Sequence, residues 1–311
     1  MKTFICLVFS LFIIISCQSK QEQQTPVERV TTTTSQAKPA NETPKPTDFK
    51  SYWYGGKAEL SSYELKQSKY GKIREGEIVL IFVTEPFSLS KHVKLDRPND
   101  AGDDKITVMK LNQVRKFTTG IYDYSILTST FTPIDYKAHP YTLKSTTSIQ
   151  EWCGQTFTQL NLNGATYNFK HFSYFESEGD ETQDIDVALL EEDLMTRIRI
   201  QNGTLATGDI TLIPSTIHSR FSHKNMAAAK ANISKTLTED TIQYTIRYAE
   251  LDRTITLDVE NKFPYKIMKW TEDDGDGLIT TATLKSSLLE PYWNQKSIAD
   301  EAKRDELKLV H

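Results

Sequence analysis

The sequence lacks the motifs that mark several common enzyme classes. It contains no G-x-S-x-G, no P-loop, no G-x-G-x-x-G and no H-E-x-x-H segment, so these hydrolase, nucleotide-binding and zinc-protease classes have no support. No apolar run reaches the roughly 20 residues that a membrane-spanning helix requires. Basic residues are not in excess either, because the chain contains 37 Lys and Arg residues and 41 Asp and Glu residues. That balance argues against a nucleic-acid partner. We expect no cofactor and no bound metal.

Cysteine is also scarce, with only Cys6, Cys17 and Cys153 in the chain. Cys6 lies in the first apolar run, and Cys17 directly follows it. If the first segment is removed as a signal peptide and Cys17 is lipidated, Cys153 is the one cysteine left with a free thiol. We therefore expect no intramolecular disulfide, and a fold stabilised by packing.

The N-terminus has the pattern of an export signal. Lys2 precedes an apolar run from Phe4 to Ile15, which has the length of a signal-peptide core. The segment Ile14-Ile15-Ser16-Cys17 then resembles the bacterial lipobox. The resemblance implies a diacylglyceryl thioether on Cys17, cleavage before it and acylation of the new amine. An ordinary signal peptide or a one-pass anchor is the alternative. Two or three acyl chains anchor a protein firmly, so we expect membrane attachment through the N-terminal lipid.

The residues after Cys17 predict a spacer. Gln18, in place of Asp, favours an outer-membrane location, facing the periplasm or the medium. From there to Thr47 the chain is rich in Gln, Thr, Lys, Glu and Pro, which leaves almost nothing apolar to bury and predicts disorder. Loss of Lys2 with the signal peptide reduces the basic count from 37 to 36 against 41 acidic residues, a net charge of about −5. The predicted organisation is 1–16 signal peptide, 17–47 lipidated cysteine and tether, 48–295 β-rich domain, and 296–311 charged C-terminal helix or tail.

The predicted domain has the alternation of antiparallel strands. Ile78–Val83 is continuously apolar and predicts a central strand that is buried on both faces. Asn163-Gly164 predicts a hairpin. Four consecutive strands between 242 and 284 predict a meander. One amphipathic helix is expected over 186–199, capped by Asp184 or Asp186, and a second begins near Ser297. The fold class is therefore mainly β: a large curved antiparallel sheet, or open half-barrel, with one amphipathic helix against its concave side.

Cys153 is the candidate nucleophile, placed on a predicted strand within Glu151-Trp152-Cys153-Gly154. It would need a base such as His171 or His218. The alternative is a small, buried, inert thiol.

Two further patterns resemble metal-binding motifs but match their spacing or ligand types poorly. His218 and His223 are five residues apart, which is not the i, i+4 spacing that holds one zinc ion on a helix. The stretch 272–277 partly matches a calcium loop, but its first position is Glu272 and its twelfth is Thr283. A solvated hairpin turn accounts better for this stretch.

The candidate ligand-binding residues lie on one aromatic-rich strand: Tyr167, Phe169, Phe172 and Tyr174. This strand has two interpretations. Its aromatic side chains could fill the core, as strand aromatics usually do, or they could line a cavity for an apolar ligand on the concave sheet.

Three segments carry a resemblance to a family of uncharacterised lipoproteins from Bacteroidota. They are Tyr70–Glu77 (YGKIREGE), Ser148–Gly154 (SIQEWCG) and Phe263–Ile267 (FPYKI). Some members of that family carry the label septum formation inhibitor Maf. Maf enzymes are cytoplasmic nucleotide pyrophosphatases with an S-x-S-P-R-R motif, and this chain contains no such motif. At the level of fold, a curved sheet over a helix is similar to the LolA-like and LolB-like periplasmic lipoprotein carriers. That likeness implies a groove for acyl chains.

The expected function is therefore a membrane-tethered, non-enzymatic envelope lipoprotein that binds an apolar or lipid-like ligand or an envelope partner. The alternatives are an envelope thiol enzyme or hydrolase centred on Cys153, and a purely structural interaction module.

Overall fold

The computed structural model describes residues 46–310. The predicted signal peptide, lipidated Cys17 and nearly all of the tether lie outside the described residues. No helix in the described part of the chain is long and apolar enough to cross a membrane.

Strands dominate residues 46–310, which confirms the mainly β prediction. The first eight strands, in chain order, are β1 (Ala58–Lys69), β2 (Lys72–Ser88), β3 (Lys105–Thr119), β4 (Tyr122–Pro133), β5 (Lys144–Glu151), β6 (Gly154–Asn163), β7 (Thr166–Ser173) and β8 (Glu181–Asp186). The remaining strands are β9 (Leu189–Leu190), β10 (Gly208–Ile213), β11 (Ala229–Leu237), β12 (Thr241–Tyr248), β13 (Thr254–Glu260), β14 (Ile267–Asp273) and β15 (Ile279–Glu290).

All fifteen strands form one open sheet in the order β8-β7-β6-β5-β4-β3-β2-β1-β15-β14-β13-β12-β11-β10-β9. Neighbours are antiparallel except β9 and β10, which are parallel. The predicted 163–164 hairpin joins β6 to β7, and the predicted meander is β12 to β15. The strand over Ile78–Val83 lies in β2, near the middle of the sheet. Its alternate residues Val79 and Ile81 are only half-buried, so it is not covered on both faces throughout.

The sheet is strongly curved because its two edge strands are joined by a very short link. Only residues 187–188 separate β8 at one edge from β9 at the other. A link of that length spans about 10 Å, so the edges converge there. Further along, Gln183 Nε2 donates to the carbonyl oxygen of Met226 at 3.1 Å. We call this line of contact between β8 and residues 216–226 the seam.

Two short helices pack inside the curve. They are α2 (Leu194–Ile200), preceded by a 3₁₀ turn over Glu191–Asp193, and α3 (Thr216–Ser222). Their buried residues Leu194, Ile198 and Ile217 belong to the main core together with side chains from most strands. The predicted 186–199 helix is therefore wrong at its start: Asp186 ends β8, and β9 and the 3₁₀ turn come before α2. A Ser215 cap, whose Oγ accepts from Ile217 N, starts α3, which the apolar pattern did not predict.

The outer face of the central strands is covered by the C-terminal segment. A capping box between Ser297 and Asp300 starts a 3₁₀ turn and α4 (Ala302–Glu306), as predicted near Ser297. Ser62 Oγ donates to the Leu307 carbonyl oxygen, and Leu307 is itself buried. At the start of the described residues, α1 (Pro46–Trp53) leads into β1, and its Trp53 side chain lies in the core.

Candidate ligand-binding cleft

The four predicted ligand residues do not share one surface. Tyr167 and Phe169 point inward and are almost fully buried in a core cluster that bridges the two sheet edges. Phe172 and Tyr174 are 48% and 74% exposed, because residues of opposite parity on a strand face opposite sides of the sheet. The expectation that all four line a cavity on the concave side is therefore wrong.

Because Phe169 is buried and Phe172 is half exposed, removing each ring should lower the stability of the domain by a different amount. We expect Phe169→Ala to destabilise the domain by about 3–5 kcal/mol, because it leaves a cavity in a buried cluster. The matched change Phe172→Ala is expected to cost less than about 1 kcal/mol, since that ring is half exposed. Urea unfolding of the full chain measures both, and similar midpoints for the two variants would contradict the assignment of faces.

Phe172 and Tyr174 instead line a groove on the outer face, which we call the outer groove. It has a volume of about 530 Å³. Phe157 and Phe172 are paired across β6 and β7 with ring centroids 6.5 Å apart. The Tyr174 ring lies over Gly154, where a β-carbon would come within 2.5 Å of Tyr174 Cδ1. Glycine at 154 thus allows the tyrosine to pack on the backbone.

The more enclosed space lies at the seam. One cavity of about 240 Å³, the seam cavity, runs between Thr158, Phe169 and His171 on the sheet and residues 216–226. A second cavity of about 200 Å³ adjoins it and is walled by aromatic rings. Both cavities include Ser177, Glu178, Arg220 and His223 in their walls. Together they form one seam cleft within the size range of small-molecule sites.

Glu178 divides the cleft. It lies on the loop 174–180 between β7 and β8, and its Oε1 is 2.9 Å from an Arg220 NH1 and 3.2 Å from His223 Nδ1. Its Oε2 accepts a hydrogen bond from Ser173 Oγ at 2.8 Å and lies 3.5 Å from His171 Nε2. The loop is thereby held against α3 across the seam.

The aromatic cavity also contains a partly buried cation. Lys69 Nζ lies 3.7 Å from the ring centroid of Phe221 and 4.8 Å from that of Tyr70. Tyr70 and Tyr124 share a hydrogen bond of 2.7 Å between their hydroxyl groups. Burial, with the nearby Arg220 charge, lowers the pKa of Lys69 to about 8. The cleft therefore combines aromatic walls with two cationic side chains, those of Lys69 and Arg220.

A second polar centre is buried under α2 and α3, and we call it the inner network. Arg115 NH2 lies 2.5 Å from Glu272 Oε1, and Arg253 binds Glu191 through two nitrogens at 2.5 and 3.0 Å. Arg253 also pairs with Asp274. Burial alone would raise the pKa of Asp274, but contact with His218 and the Arg253 charge lower it to about 2. The predicted hairpin turn joins β14 to β15 with residues 274–277 exposed, while the Glu272 and Asp274 carboxylates reach into the inner network.

Glu192 lies beside this network, and within residues 46–310 it forms no ion pair with a cationic side chain. Its Oε1 accepts from the Thr216 backbone N at 2.6 Å and from Thr216 Oγ1 at 2.9 Å, while Oε2 is buried without a hydrogen-bond partner among residues 46–310. Burial and the Glu191 charge raise the pKa of Glu192 to about 7, a value suited to proton transfer. However, the adjoining cavity is only about 60 Å³, which is room for about two water molecules. No substrate of ordinary size fits there.

Cys153 lies in the turn between β5 and β6 and is exposed, so neither the predicted strand position nor the buried-thiol alternative holds. The Glu151 carboxylate raises the pKa of the Cys153 thiol through a hydrogen bond and its charge. A raised pKa reduces the fraction of reactive thiolate. His171 belongs to the Glu178 contacts and His218 to the inner network, so neither serves Cys153 as a base in this arrangement. Within the described residues, no group of His, Cys, Asp or Glu side chains is arranged to hold a metal ion.

We expect a thiol-reactive probe to label Cys153 slowly at pH 7 and faster as the pH rises. Glu151→Gln should accelerate labelling at pH 7, because it removes the negative charge that disfavours the thiolate. Peptide mapping of the labelled full chain separates Cys153 from the other cysteines. Fast labelling of the unaltered chain at pH 7, unaffected by Glu151→Gln, would revive the thiol-enzyme alternative.

No known protein family, curated protein or solved structure matches this chain.

Proposed function

We propose that this chain is a lipid-anchored envelope lipoprotein whose β domain binds a small amphipathic ligand in the seam cleft, without catalysing a reaction. The observation that carries the proposal is the junction of two unlike cavities at Glu178 and Arg220. One is walled by Tyr70, Phe175 and Phe221, and the other by hydroxyl and imidazole groups. Apolar walls with a few placed polar groups are typical of ligand sites.

The anchor is a proposal that rests on the lipobox-like segment ending at Cys17. Acyl chains on Cys17 would hold the domain at the outer membrane, and the tether would set its distance. The concave face is largely filled by core side chains such as Tyr244 and Trp270. This filling favours a ligand of limited size in the cleft over a long acyl chain along the sheet.

Native mass spectrometry of the full chain, purified from bacterial membranes in detergent, tests this proposal. We expect a stoichiometric extra mass that extracts into organic solvent. Ser219→Trp, which fills the seam cavity from α3, should lose that mass. A clean mass for the unaltered chain, or full retention by Ser219→Trp, would contradict the proposal. The same spectra report whether Cys17 carries acyl chains, and an unmodified Cys17 would contradict the anchor.

An envelope protein as partner is the second candidate, favoured by the exposed Phe157, Phe172 and Tyr174 in the outer groove. Contiguous exposed apolar side chains often mark interaction sites. If this alternative holds, we expect Phe172→Asp to abolish binding of the envelope protein and Ser219→Trp to leave that binding unchanged.

A further inference from the structure

The contacts of Glu178 resemble a bound ligand more than an ordinary surface ion pair. Four side chains converge on this one carboxylate, from β7, from α3 and from the residue that follows α3: His171, Ser173, Arg220 and His223. His171 is itself 91% buried, since only 9% of its surface is exposed, and its Nδ1 lies 2.9 Å from Thr158 Oγ1. His171 and Arg220 are thus fixed largely by the surrounding fold, with Arg220 only 14% exposed, whereas the carboxylate is supplied by a loop.

Arg220 has donor capacity that Glu178 does not use. A guanidinium group carries five N–H donors, and the contact with Glu178 runs through NH1. Arg220 Nε is buried and has no hydrogen-bond partner in the described part of the chain. The guanidinium also stacks on Phe175, 4.8 Å from its ring centroid. Because Phe175 and Glu178 lie on the same loop, movement of that loop would free both the face and the donors of Arg220.

The charge balance of the cleft depends on Glu178. Three carboxylates line the two cavities, on Glu151, Glu178 and Glu181, and three cationic side chains oppose them, on Lys69, Arg220 and Lys224. If the Glu178 carboxylate leaves, the cations outnumber the carboxylates before either histidine is counted. A partly buried excess of positive charge favours an anion in its place.

We infer that Arg220, His171 and His223 form an anion site that Glu178 fills in this structure, and that the ligand carries an anionic group that takes the place of the Glu178 carboxylate. The inference rests on the proposed function and names the ligand class: an amphipathic molecule with an anionic head. The head binds Arg220, and the apolar part occupies the aromatic cavity beside Phe221 and Tyr70. The loop 174–180 acts as the cover of the site.

Three probes with the same eight-carbon chain test the inference on the full chain: octanoate, octanol and octyltrimethylammonium. Glu178→Gln keeps the size of the side chain and removes its charge. We expect it to tighten octanoate binding about ten- to a hundredfold, the equivalent of removing one competing charge-assisted contact. Octanol binding should change little, and octyltrimethylammonium binding should weaken. In the double variant Glu178→Gln/Arg220→Met, the gain for octanoate should disappear, and isothermal titration calorimetry measures each affinity.

The two proposals fail in different ways. If Glu178→Gln leaves octanoate affinity unchanged, or tightens octanol binding equally, the anion site is wrong, even when the purified chain retains a ligand in the seam cavity. If no probe binds any variant and the purified chain carries no extra mass, the proposed function itself is wrong. Thermal unfolding of Glu178→Gln checks that the loop change leaves the domain folded. Glu176→Gln, on the same loop and exposed, is the matched control and should alter no affinity.

Discussion

Replacing Arg253 by methionine is expected to destabilise the domain by about 3–5 kcal/mol, because it leaves buried carboxylates without their cation. The Arg253 side chain is 1% exposed and lies against Glu191, Glu272 and Asp274. These contacts raise the pKa of Arg253 against the opposing effect of burial. A loss of this size is a large fraction of the about 5–15 kcal/mol that holds a typical domain together.

Arg247→Met is the matched control for this prediction. Arg247 lies on β12, exposed on the outer face, and pairs in register with Thr254. Its replacement is expected to change stability by less than about 0.5 kcal/mol. Urea unfolding of the two variants at pH 7 measures the difference. Equal midpoints for Arg253→Met and Arg247→Met would show that the inner network does not stabilise the fold.

Glu192→Gln is expected to stabilise the domain at alkaline pH and to have little effect near pH 4.5. The native pKa of about 7 lies above the ordinary value of 4.5, chiefly because of burial and then because of Glu191. The folded state therefore binds this proton more tightly than the unfolded state. Its contribution is fully present below pH 4.5 and is lost as pH rises through 7. The difference amounts to at most about 3 kcal/mol.

The measurement is the free energy of unfolding of the full chain and the variant between pH 4.5 and 8.5. The glutamine amide imitates the protonated acid. The free energy of unfolding of the variant, relative to that of the unaltered chain, should therefore rise steadily between pH 4.5 and 7 and level off above. Glu250→Gln, an exposed change in the turn after β12, should show no such trend. A difference between Glu192→Gln and the unaltered chain that is independent of pH would mean that Glu192 does not titrate in this range.

Much of the sheet was predictable because strand parity and turn residues are local signals. The alternation through Ile242, Tyr244 and Ile246 follows the buried face of β12, and Asn163-Gly164 marks the hairpin between β6 and β7. The helix boundary at 186 was not predictable in the same way. Leu189 and Leu190 satisfy a helical pattern, yet they form a parallel pair with β10, and that pairing depends on the converging sheet edges.

The site was harder to predict, although part of its signal was available. His171 shares parity with Tyr167 and Phe169, which places it on the inward face, and Arg253 shares parity with the buried Ile255. Charged or imidazole side chains at inward positions indicate interior polar contacts. Their partners could not be found from the sequence, since Glu178 and Arg220 are 42 positions apart and meet only across the seam.

Amide hydrogen exchange of the full chain, with and without saturating octanoate, tests the location of the ligand site most directly. A ligand in the seam cleft is expected to change the protection of peptides covering 174–180 and 216–226, which form its two sides. Residues 216–226 line the seam cleft and no part of the outer groove, so a change in their exchange distinguishes the two sites. Altered exchange confined to β6, β7 and the loop 174–180, with none in peptides covering 216–226, would contradict the account.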